Sequence, residues 1–245
     1  ENRDFVRSQS DPCIFFHNGL VLLIYVDDIM IIGKDAAHVD SFKQSMKDGK
    51  ENFCFTDGGN LENYLGVQVA KRADGSLLLT QPFLIQKIIH AVMGDQRINP
   101  SKVPAIKNLL HKDSSGPARK FDFNYRQIVG MLTYLQGTTR PELAMSVHQC
   151  ARFSSDPKLT HDRAIIRIIR YLEGTKDKGL IIRPDSLKGI ECYVDASFAS
   201  GWIADDADNV DNILSRTGYV IQYAGCPVHW SSKMQTEIAL STAEA

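Results

Sequence analysis

The strongest constraint on folding is the most apolar run of the chain, GLVLLIYVDDIMIIGK at residues 19–34, which two adjacent aspartates interrupt. The β-branched and aromatic residues on both sides predict a β-hairpin with Asp27 and Asp28 as its tight turn. An unpaired carboxylate among apolar strands costs several kcal/mol or stays protonated, and two like charges side by side raise that cost. We therefore expect the surroundings to compensate the pair.

Two explanations of the aspartate pair are open at this point. Asp tolerates turn geometry and a hairpin tip exposes charges to water, so the pair can be an ordinary solvated turn. However, a two-residue hairpin turn favours Asn-Gly or another glycine-containing pair over Asp-Asp. Clustered carboxylates are also the hard oxygen ligands that suit Mg²⁺, so Asp27 and Asp28 can equally mark a divalent-cation site.

The composition indicates an ordinary globular protein. The 245 residues include 43% hydrophobic and 23% charged residues, which argues against wholesale disorder. The apolar run stops at Asp27, well short of the ~20 residues that a membrane helix needs, and no signal peptide opens the chain. The five cysteines are scattered singly, which favours a reducing compartment without a disulfide or zinc framework. We therefore expect an intracellular protein that is neither secreted nor membrane-bound.

The net charge of -1 hides an asymmetry along the chain. Residues 71–180 contain 18 Lys and Arg against 9 Asp and Glu, so the middle is basic and the ends are acidic. A basic middle indicates a surface for a polyanion. Chance clustering of charges on solvated helices explains the same count, so this asymmetry is only supporting evidence.

The hydrophobic periodicity changes twice along the chain. Residues 61–81 predict a second hairpin with RADGS as its turn. From Pro82 to about residue 175 the pattern is helical, and the clearest helix places Arg163, Arg167 and Arg170 opposite an isoleucine-rich face. After Pro184, three strands are predicted, and STAEA at 241–245 is expected to open a helix.

A second pair of acids follows in this last region. Asp195 lies in the predicted strand YVDASF, and Glu244 lies 49 residues later in TEIALSTAEA. A purely structural explanation is available for each acid. Asp195 can be an edge-strand residue. Glu244 can complete a capping box with Ser241 at the start of the expected helix.

Several segments, in order, resemble one known family. YVDD at 25–28 between apolar strands resembles the palm motif of reverse transcriptases, and LLIYVDDIMIIG is similar to the copia-type retrotransposon family in particular. NYLGVQV (63–69) and LTQPFLIQKII (79–89) resemble the primer-grip hairpin and the first thumb helix. RPELAMSVHQCARF (140–153) and HDRAIIRIIRYLEGTKDKGL (161–180) resemble the helical segment that joins polymerase to nuclease.

This resemblance implies roles for individual residues of the polymerase part. Asp27 is implied as the main ligand of two Mg²⁺ ions and Asp28 as its companion, with Tyr25 near the primer terminus. The ions would activate the primer 3′ hydroxyl and stabilise the pyrophosphate leaving group. The primer grip would include Tyr64, Leu65 and Gly66, although an ordinary apolar strand with a glycine explains these three residues equally well.

The end of the chain resembles the start of the ribonuclease H domain of the same family. The matching segments are YVDASF (193–198) and TEIALSTAEA (236–245), which imply that Asp195 and Glu244 are ligands of two further Mg²⁺ ions. The arginines of the clearest helix (Arg163, Arg167 and Arg170) can then track a phosphate backbone. Any surface helix, however, shows a charged stripe opposite an apolar one.

The resemblance implies an α+β fold with partial palm hairpins, a helical thumb and connection, and an incomplete ribonuclease H-like mixed sheet. The expected domains are residues 1–80, 81–184 and 185–245. The implied partners are an RNA template, a DNA primer, their hybrid and deoxynucleoside triphosphates, in a cytoplasmic retrotransposon particle. The oligomeric state is not indicated.

Two departures from the family lead to a further expectation. Only Asp4 and Asp11 precede Asp27, in a stretch unlike the motif that carries the third palm aspartate, and the later nuclease carboxylates are not matched. We therefore expect a fragment of a larger enzyme that is inactive in isolation. The alternatives are a non-catalytic nucleic-acid-binding remnant of a decayed or domesticated element and, on the amphipathic helices alone, a protein-interaction scaffold.

Overall fold

The computed structural model describes residues 4–48, 54–199, 201–202 and 210–245. The chain divides into two compact units, residues 1–61 and residues 62–245. Helices and antiparallel sheets together make an α+β fold, as the periodicity predicts. Within the described ranges, no helix combines the length and the apolar character that crossing a membrane requires.

The first unit is a four-stranded antiparallel sheet followed by a helix. Each strand pairs with the one next to it in sequence, so the sheet is a simple meander. The strands are β1 (Val6–Arg7), β2 (Ile14–His17), β3 (Leu20–Tyr25) and β4 (Asp28–Ile32), and the helix is α1 (Ala36–Asp48). This confirms the predicted hairpin between residues 21 and 32.

The apolar core of this first unit is thin in its described part. On β3, Leu20 and Leu22 are 2% and 6% exposed, whereas no side chain of α1 is buried. A Cβ at Gly33 would lie 2.6 Å from Cγ2 of Val39, so this glycine lets α1 approach the sheet closely. Because apolar burial is the main stabilising contribution, the first unit has little stabilisation of its own.

The second unit begins with another antiparallel sheet. Its strands are β5 (Asn63–Tyr64), β6 (Val67–Lys71), β7 (Leu77–Thr80) and β8 (Leu180–Ile182), in that order. The RADGS turn forms as predicted, because the Asp74 carboxylate accepts hydrogen bonds from the amide and hydroxyl of Ser76. The sequence reasoning missed β8, which lies about a hundred residues from β7 along the chain and pairs Leu180 with Leu79.

Four helices build the main apolar core of the molecule. They are α2 (Pro82–Met93), α3 (Tyr125–Thr138), α4 (Ala144–Ala151) and α5 (Leu159–Glu173), with one turn of 3-10 helix at Pro141–Leu143. Every helix contributes fully buried side chains, among them Ile85, Leu132, Val147 and Ile165. On α5 the buried isoleucines share one face, as the 3.6-residue periodicity predicts.

Two arginines, the buried Arg140 and the partly exposed Arg119, hold the helices and their connections together. Arg140, 1% exposed, donates to the carbonyl and hydroxyl oxygens of Thr175 and, through Nε, to Glu142 at 2.7 Å. Arg119 donates through Nε to the fully buried Asp162 at 2.7 Å, and so anchors the irregular connection between α2 and α3 on α5. Removing one partner of a buried pair leaves an uncompensated charge, so both contacts fix helix positions.

The third sheet lies at the end of the chain. Its strands β9 (Ile190–Ser197), β10 (Arg216–Tyr223) and β11 (Cys226–Met234) confirm the three predicted strands, and α6 (Val210–Ile213) precedes β10. All described pairings in this sheet are antiparallel, in the order β11-β10-β9, so the expected mixed sheet is not seen in the described strands. The helix expected at STAEA is wrong, because residues 241–244 form a bend and turn.

A glycine permits the pairing of β8 with β7. A Cβ at Gly179 would overlap the carbonyl oxygen of Leu79 and lie 2.8 Å from Cγ2 of Thr80. We expect Gly179→Ala to lower the free energy of unfolding by about 2 kcal/mol, the usual cost of overpacking, in urea denaturation.

The matched control for this substitution is Gly130→Ala on the exposed face of α3. There an added Cβ would meet nothing within 4 Å. Alanine in an exposed helix position should keep the stability unchanged or raise it by up to about 1 kcal/mol. Equal stability of the two variants would contradict the close packing of β8 on β7.

Candidate functional site

The two predicted polymerase aspartates lie at the tip of the β3–β4 hairpin. The turn residues are Val26 and Asp27, because Tyr25 pairs with Asp28 across the two strands. The predicted Asp-Asp turn is therefore wrong by one residue, since the pairing places Asp28 in the first position of β4. Tyr25 and Asp28 are opposite each other and share one face of the sheet.

The backbone at this tip is strained. Val26 has a φ of 57°, and a positive φ at the first of two turn residues is typical of a type II′ turn, where glycine is preferred. A β-branched residue in this region costs on the order of 1–3 kcal/mol, which the flanking strand pairs must offset. The Val26 side chain is also 87% exposed, so apolar burial does not explain its presence there.

Both carboxylates face water rather than apolar surroundings. Asp27 and Asp28 are exposed, and no described residue forms a hydrogen bond or ion pair with either carboxylate. The expectation of acids enclosed by apolar strands is therefore wrong, because the apolar side chains lie further along the strands, away from the tip. What needs compensation is the repulsion between two adjacent negative charges.

The donor set at the tip fits a hard divalent cation but does not complete its coordination. Two neighbouring carboxylates offer the oxygen ligands that Mg²⁺ prefers. In the described part of the chain, however, no group of three or more His, Cys, Asp and Glu side chains is placed to hold a metal ion. The tip therefore offers two carboxylates, fewer ligands than such an ion requires.

The predicted primer-grip residues form a second tight hairpin. Leu65 and Gly66 are the two turn residues between β5 and β6, and their φ values are 49° and 76°. Positive φ at both positions is typical of a type I′ turn, which costs a leucine about 1–2 kcal/mol relative to glycine. The hydroxyl of Tyr134 on α3 donates a 2.6 Å hydrogen bond to the Leu65 carbonyl oxygen.

Two of the three predicted phosphate-binding arginines contact the protein's own backbone. Nε of Arg167 donates to the carbonyl oxygen of Val103 at 3.0 Å, and Nε of Arg170 donates to that of Asn99 at 2.7 Å. Both hold the connection between α2 and α3 against α5, a structural role that the sequence pattern did not indicate. Arg163 is exposed on the same helix.

The predicted nuclease acids lie on separate elements of the second unit. Asp195 is exposed in β9 and pairs with Gly218 of β10, so no side chain lies directly opposite it on that strand. Glu244 is also exposed, and its Oε2 accepts a 2.8 Å hydrogen bond from the Leu240 amide. This hydrogen bond satisfies the Leu240 amide in the terminal turn. The capping box with Ser241 at the start of a helix does not form.

The sheet that carries Asp195 is held against the helices by residues that the sequence reasoning missed. The Trp230 indole donates to the Gln136 carbonyl of α3 at 2.8 Å. The half-buried Arg216–His148 pair connects β10 to α4 with 3.2 Å between Nη1 and Nδ1. An arginine beside a predicted strand was the only signal for this contact, and its helix partner lies 68 residues away.

The first unit carries paired exposed acids on a strained hairpin, and the second unit carries another tight hairpin and a helical core. These features indicate a candidate metal-dependent nucleic-acid enzyme. The family described as "Reverse transcriptase (RNA-dependent DNA polymerase)" matches residues 2–107. No solved structure matches the chain significantly.

Curated relatives match almost the whole chain. The Retrovirus-related Pol polyprotein from transposon TNT 1-94 of Nicotiana tabacum is 30% identical over 100% of this chain and 18% of its own length. The Retrovirus-related Pol polyprotein from transposon RE1 of Arabidopsis thaliana is 30% identical over 98% of this chain and 16% of its own length. A putative transposon Ty5-1 protein of Saccharomyces cerevisiae is 28% identical, over 94% of this chain and 68% of its own length.

These matches support the resemblance to copia-type retrotransposon reverse transcriptases. The chain spans less than a fifth of the length of the first two relatives. Reverse transcriptases use a divalent metal, which agrees with the donor set at the Asp27–Asp28 tip.

The Arg216–His148 contact predicts how stability depends on pH. Burial first, and then the charges of Arg216, Arg152 and Lys233, lower the pKa of His148 from 6.5 to about 4. Between these two values the unfolded chain binds a proton at His148 that the folded chain does not. This group therefore stabilises the fold above pH 6.5, and we expect that contribution to be lost progressively as the pH falls toward 4.

Urea unfolding of the wild type and of His148→Gln between pH 7 and pH 4 measures this contribution. Glutamine keeps an acceptor for Arg216 but does not titrate, so the stability of the wild type should fall more steeply than that of the variant. Parallel pH profiles would mean that His148 is not held neutral in the folded protein.

Proposed function

We propose that this chain is part of an RNA-directed DNA polymerase that copies retrotransposon RNA into DNA, with Asp27 and Asp28 as metal ligands. The observation that carries the proposal is a pair of exposed carboxylates on a strained hairpin, with no partner among the residues that the structure describes. Since strain and charge repulsion both oppose this arrangement, a bound cation accounts for it better than a solvated turn does. Two Mg²⁺ ions, when bound, would activate the primer 3′ hydroxyl and stabilise the leaving pyrophosphate.

Other residues would contact nucleic acid in the proposed polymerase. Tyr25 is exposed directly opposite Asp28, where its ring can contact the primer terminus. The backbone of the turn at Leu65 and Gly66 would contact the primer strand, with Tyr64 at its base and α2 as the first thumb helix. Of the three arginines on α5, Arg163 has the most accessible guanidinium for phosphate, because Arg167 and Arg170 each donate to backbone carbonyls.

We further propose that the last sheet begins a ribonuclease H-like domain. Asp195 on β9 would bind metal with Glu244, which requires Glu244 to exchange its hydrogen bond with the Leu240 amide for a metal contact. Two Mg²⁺ ions would then direct water onto the RNA strand of an RNA–DNA hybrid. The partners of the whole protein would be RNA template, DNA primer, their hybrid and deoxynucleoside triphosphates, in a cytoplasmic retrotransposon particle.

The domains of this proposed enzyme are residues 1–80 for the palm part, 81–184 for thumb and connection, and 185–245 for the nuclease part. The contacts group the chain differently, with the compact units divided after Leu61. Pairing of β7 with β8 also joins the proposed palm to the proposed connection. We therefore propose these boundaries as functional segments rather than as independently folding domains.

A non-catalytic nucleic-acid-binding role is the second candidate function. The observation in its favour is that the described residues hold no group of three or more possible metal ligands. Two-metal chemistry needs carboxylates from several elements at once, so we expect the 245-residue chain to show neither polymerase nor nuclease turnover. Mg²⁺-dependent primer extension or hybrid cleavage that is lost in Asp27→Asn or Asp195→Asn would overturn this expectation.

Binding to an RNA–DNA hybrid tests whether the aspartate tip holds a cation next to nucleic acid. We expect Mg²⁺ to tighten hybrid binding by the wild type by about fivefold, on the order of 1 kcal/mol, in fluorescence anisotropy at constant ionic strength. The double variant Asp27→Asn/Asp28→Asn should lose this gain, because neutral amides bind Mg²⁺ poorly. The affinity of both proteins should weaken steeply with salt.

The matched control for the double variant is Asp95→Asn, which removes a fully exposed carboxylate outside the tip. It should respond to Mg²⁺ as the wild type does. Hybrid binding without any Mg²⁺ effect would favour the non-catalytic role, and no hybrid binding at all would refute both candidate functions.

A further inference from the structure

The hairpin of β5 and β6 is weakly held by its own sheet. β5 is an edge strand of two residues, Asn63 and Tyr64, which pair with Gln68 and Val67. One further backbone hydrogen bond, from the Val69 amide to the Glu62 carbonyl at 2.8 Å, closes its base. A short edge strand with so few backbone bonds opens more easily than the strands in the middle of a sheet.

The turn of this hairpin adopts a conformation that a leucine does not favour. Leu65 and Gly66 both have positive φ, and the Leu65 side chain remains exposed. Neither burial nor intrinsic preference therefore explains why the turn keeps this shape. An external contact is needed to hold it.

Tyr134 provides such a contact from the helical core. Its hydroxyl donates to the Leu65 carbonyl oxygen at 2.6 Å, and the residue is 47% exposed. Its neighbours Leu132 and Leu135 on α3 are fully buried, which makes the helix a rigid base for the contact.

The same helix also holds the sheet that carries Asp195. Two residues beyond Tyr134, the Gln136 carbonyl accepts the hydrogen bond from the Trp230 indole of β11. One short segment of α3 therefore contacts both the β5–β6 turn and the terminal sheet of the second unit. A fixed spacing between these elements matters to a protein that binds a continuous duplex.

We propose that Tyr134 is a positioning residue that fixes the Leu65–Gly66 turn for contact with the primer strand. This inference rests on the proposed polymerase function. Tyr134 acts through the turn backbone, and it does not need to touch nucleic acid itself.

The experiment compares the full chain with Tyr134→Phe, which keeps the ring and removes the hydroxyl. Three quantities are measured: hydrogen exchange of residues 62–70, the Kd for a fluorescein-labelled RNA–DNA hybrid, and the Tm. We expect faster exchange at the turn and a Kd raised between about twofold and tenfold, the range that one hydrogen bond controls. The Tm and the exchange rates of α3 should stay at their wild-type values.

The control variant is Tyr219→Phe, which removes a comparable hydroxyl that contacts His229 in the terminal sheet. It should leave exchange at the turn and hybrid affinity unchanged. Comparing the two variants distinguishes the effect of losing the turn contact from the effect of losing a tyrosine hydroxyl elsewhere.

Three outcomes overturn the inference in different ways. If Tyr134→Phe matches the wild type in exchange and affinity while the wild type binds the hybrid, Tyr134 does not position the turn and the proposed function stands. If affinity falls together with Tm and with protection throughout α3, Tyr134 has only a structural role. If the wild type does not bind the hybrid, the proposed function fails and this inference fails with it.

Discussion

Strand pairing between β3 and β4 is the interaction on which the candidate site depends. Because Tyr25 pairs directly with Asp28, only two residues remain for the turn, and Val26 is forced to a positive φ. The same geometry places Asp27 and Asp28 next to each other in water at the tip. The free energy of the strand pairing thus offsets the strain at Val26 and the repulsion between two adjacent carboxylates.

The second unit has a large apolar core, whereas the described part of the first unit has a thin one. Its four main helices bury a continuous apolar core, and arginines extend that order into the loops by donating to carboxylates and backbone carbonyls. This explains why a long irregular connection between α2 and α3 keeps one path over α5. It also explains why basic residues of α5 are only partly available to a nucleic acid, although their number on the sequence indicates a phosphate-binding face.

Local signals in the sequence predicted a large part of this fold. The first hairpin, the RADGS turn, the buried face of α5 and the three terminal strands all follow from periodicity and turn residues within short windows. The turn at Val26 was misplaced because the cross-strand pair sets the register, and the residue types alone favoured the aspartates as turn residues. The STAEA helix was wrong because residues 241–244 form a bend and turn, in which Glu244 accepts a hydrogen bond from the Leu240 amide.

Other features depend on contacts far apart in the chain and had no local signal. β8 has three residues and is recognisable only through its pairing with β7, which Gly179 permits. The partners of Arg167, Arg170 and Arg216 are likewise distant in sequence. For the candidate site, the residue types and the hairpin were predictable, whereas the exposure of the acids and the contact between Tyr134 and Leu65 required the structure.

The most direct test of the central claim is a Mn²⁺ titration of the ¹⁵N-labelled chain with an RNA–DNA hybrid, followed by NMR. A paramagnetic ion broadens the amides close to its binding site. If Asp27 and Asp28 hold a divalent cation, the amides of residues 25–29 should broaden first, and excess Mg²⁺ should restore them. Uniform broadening, or selective broadening elsewhere with residues 25–29 unaffected, would contradict the account.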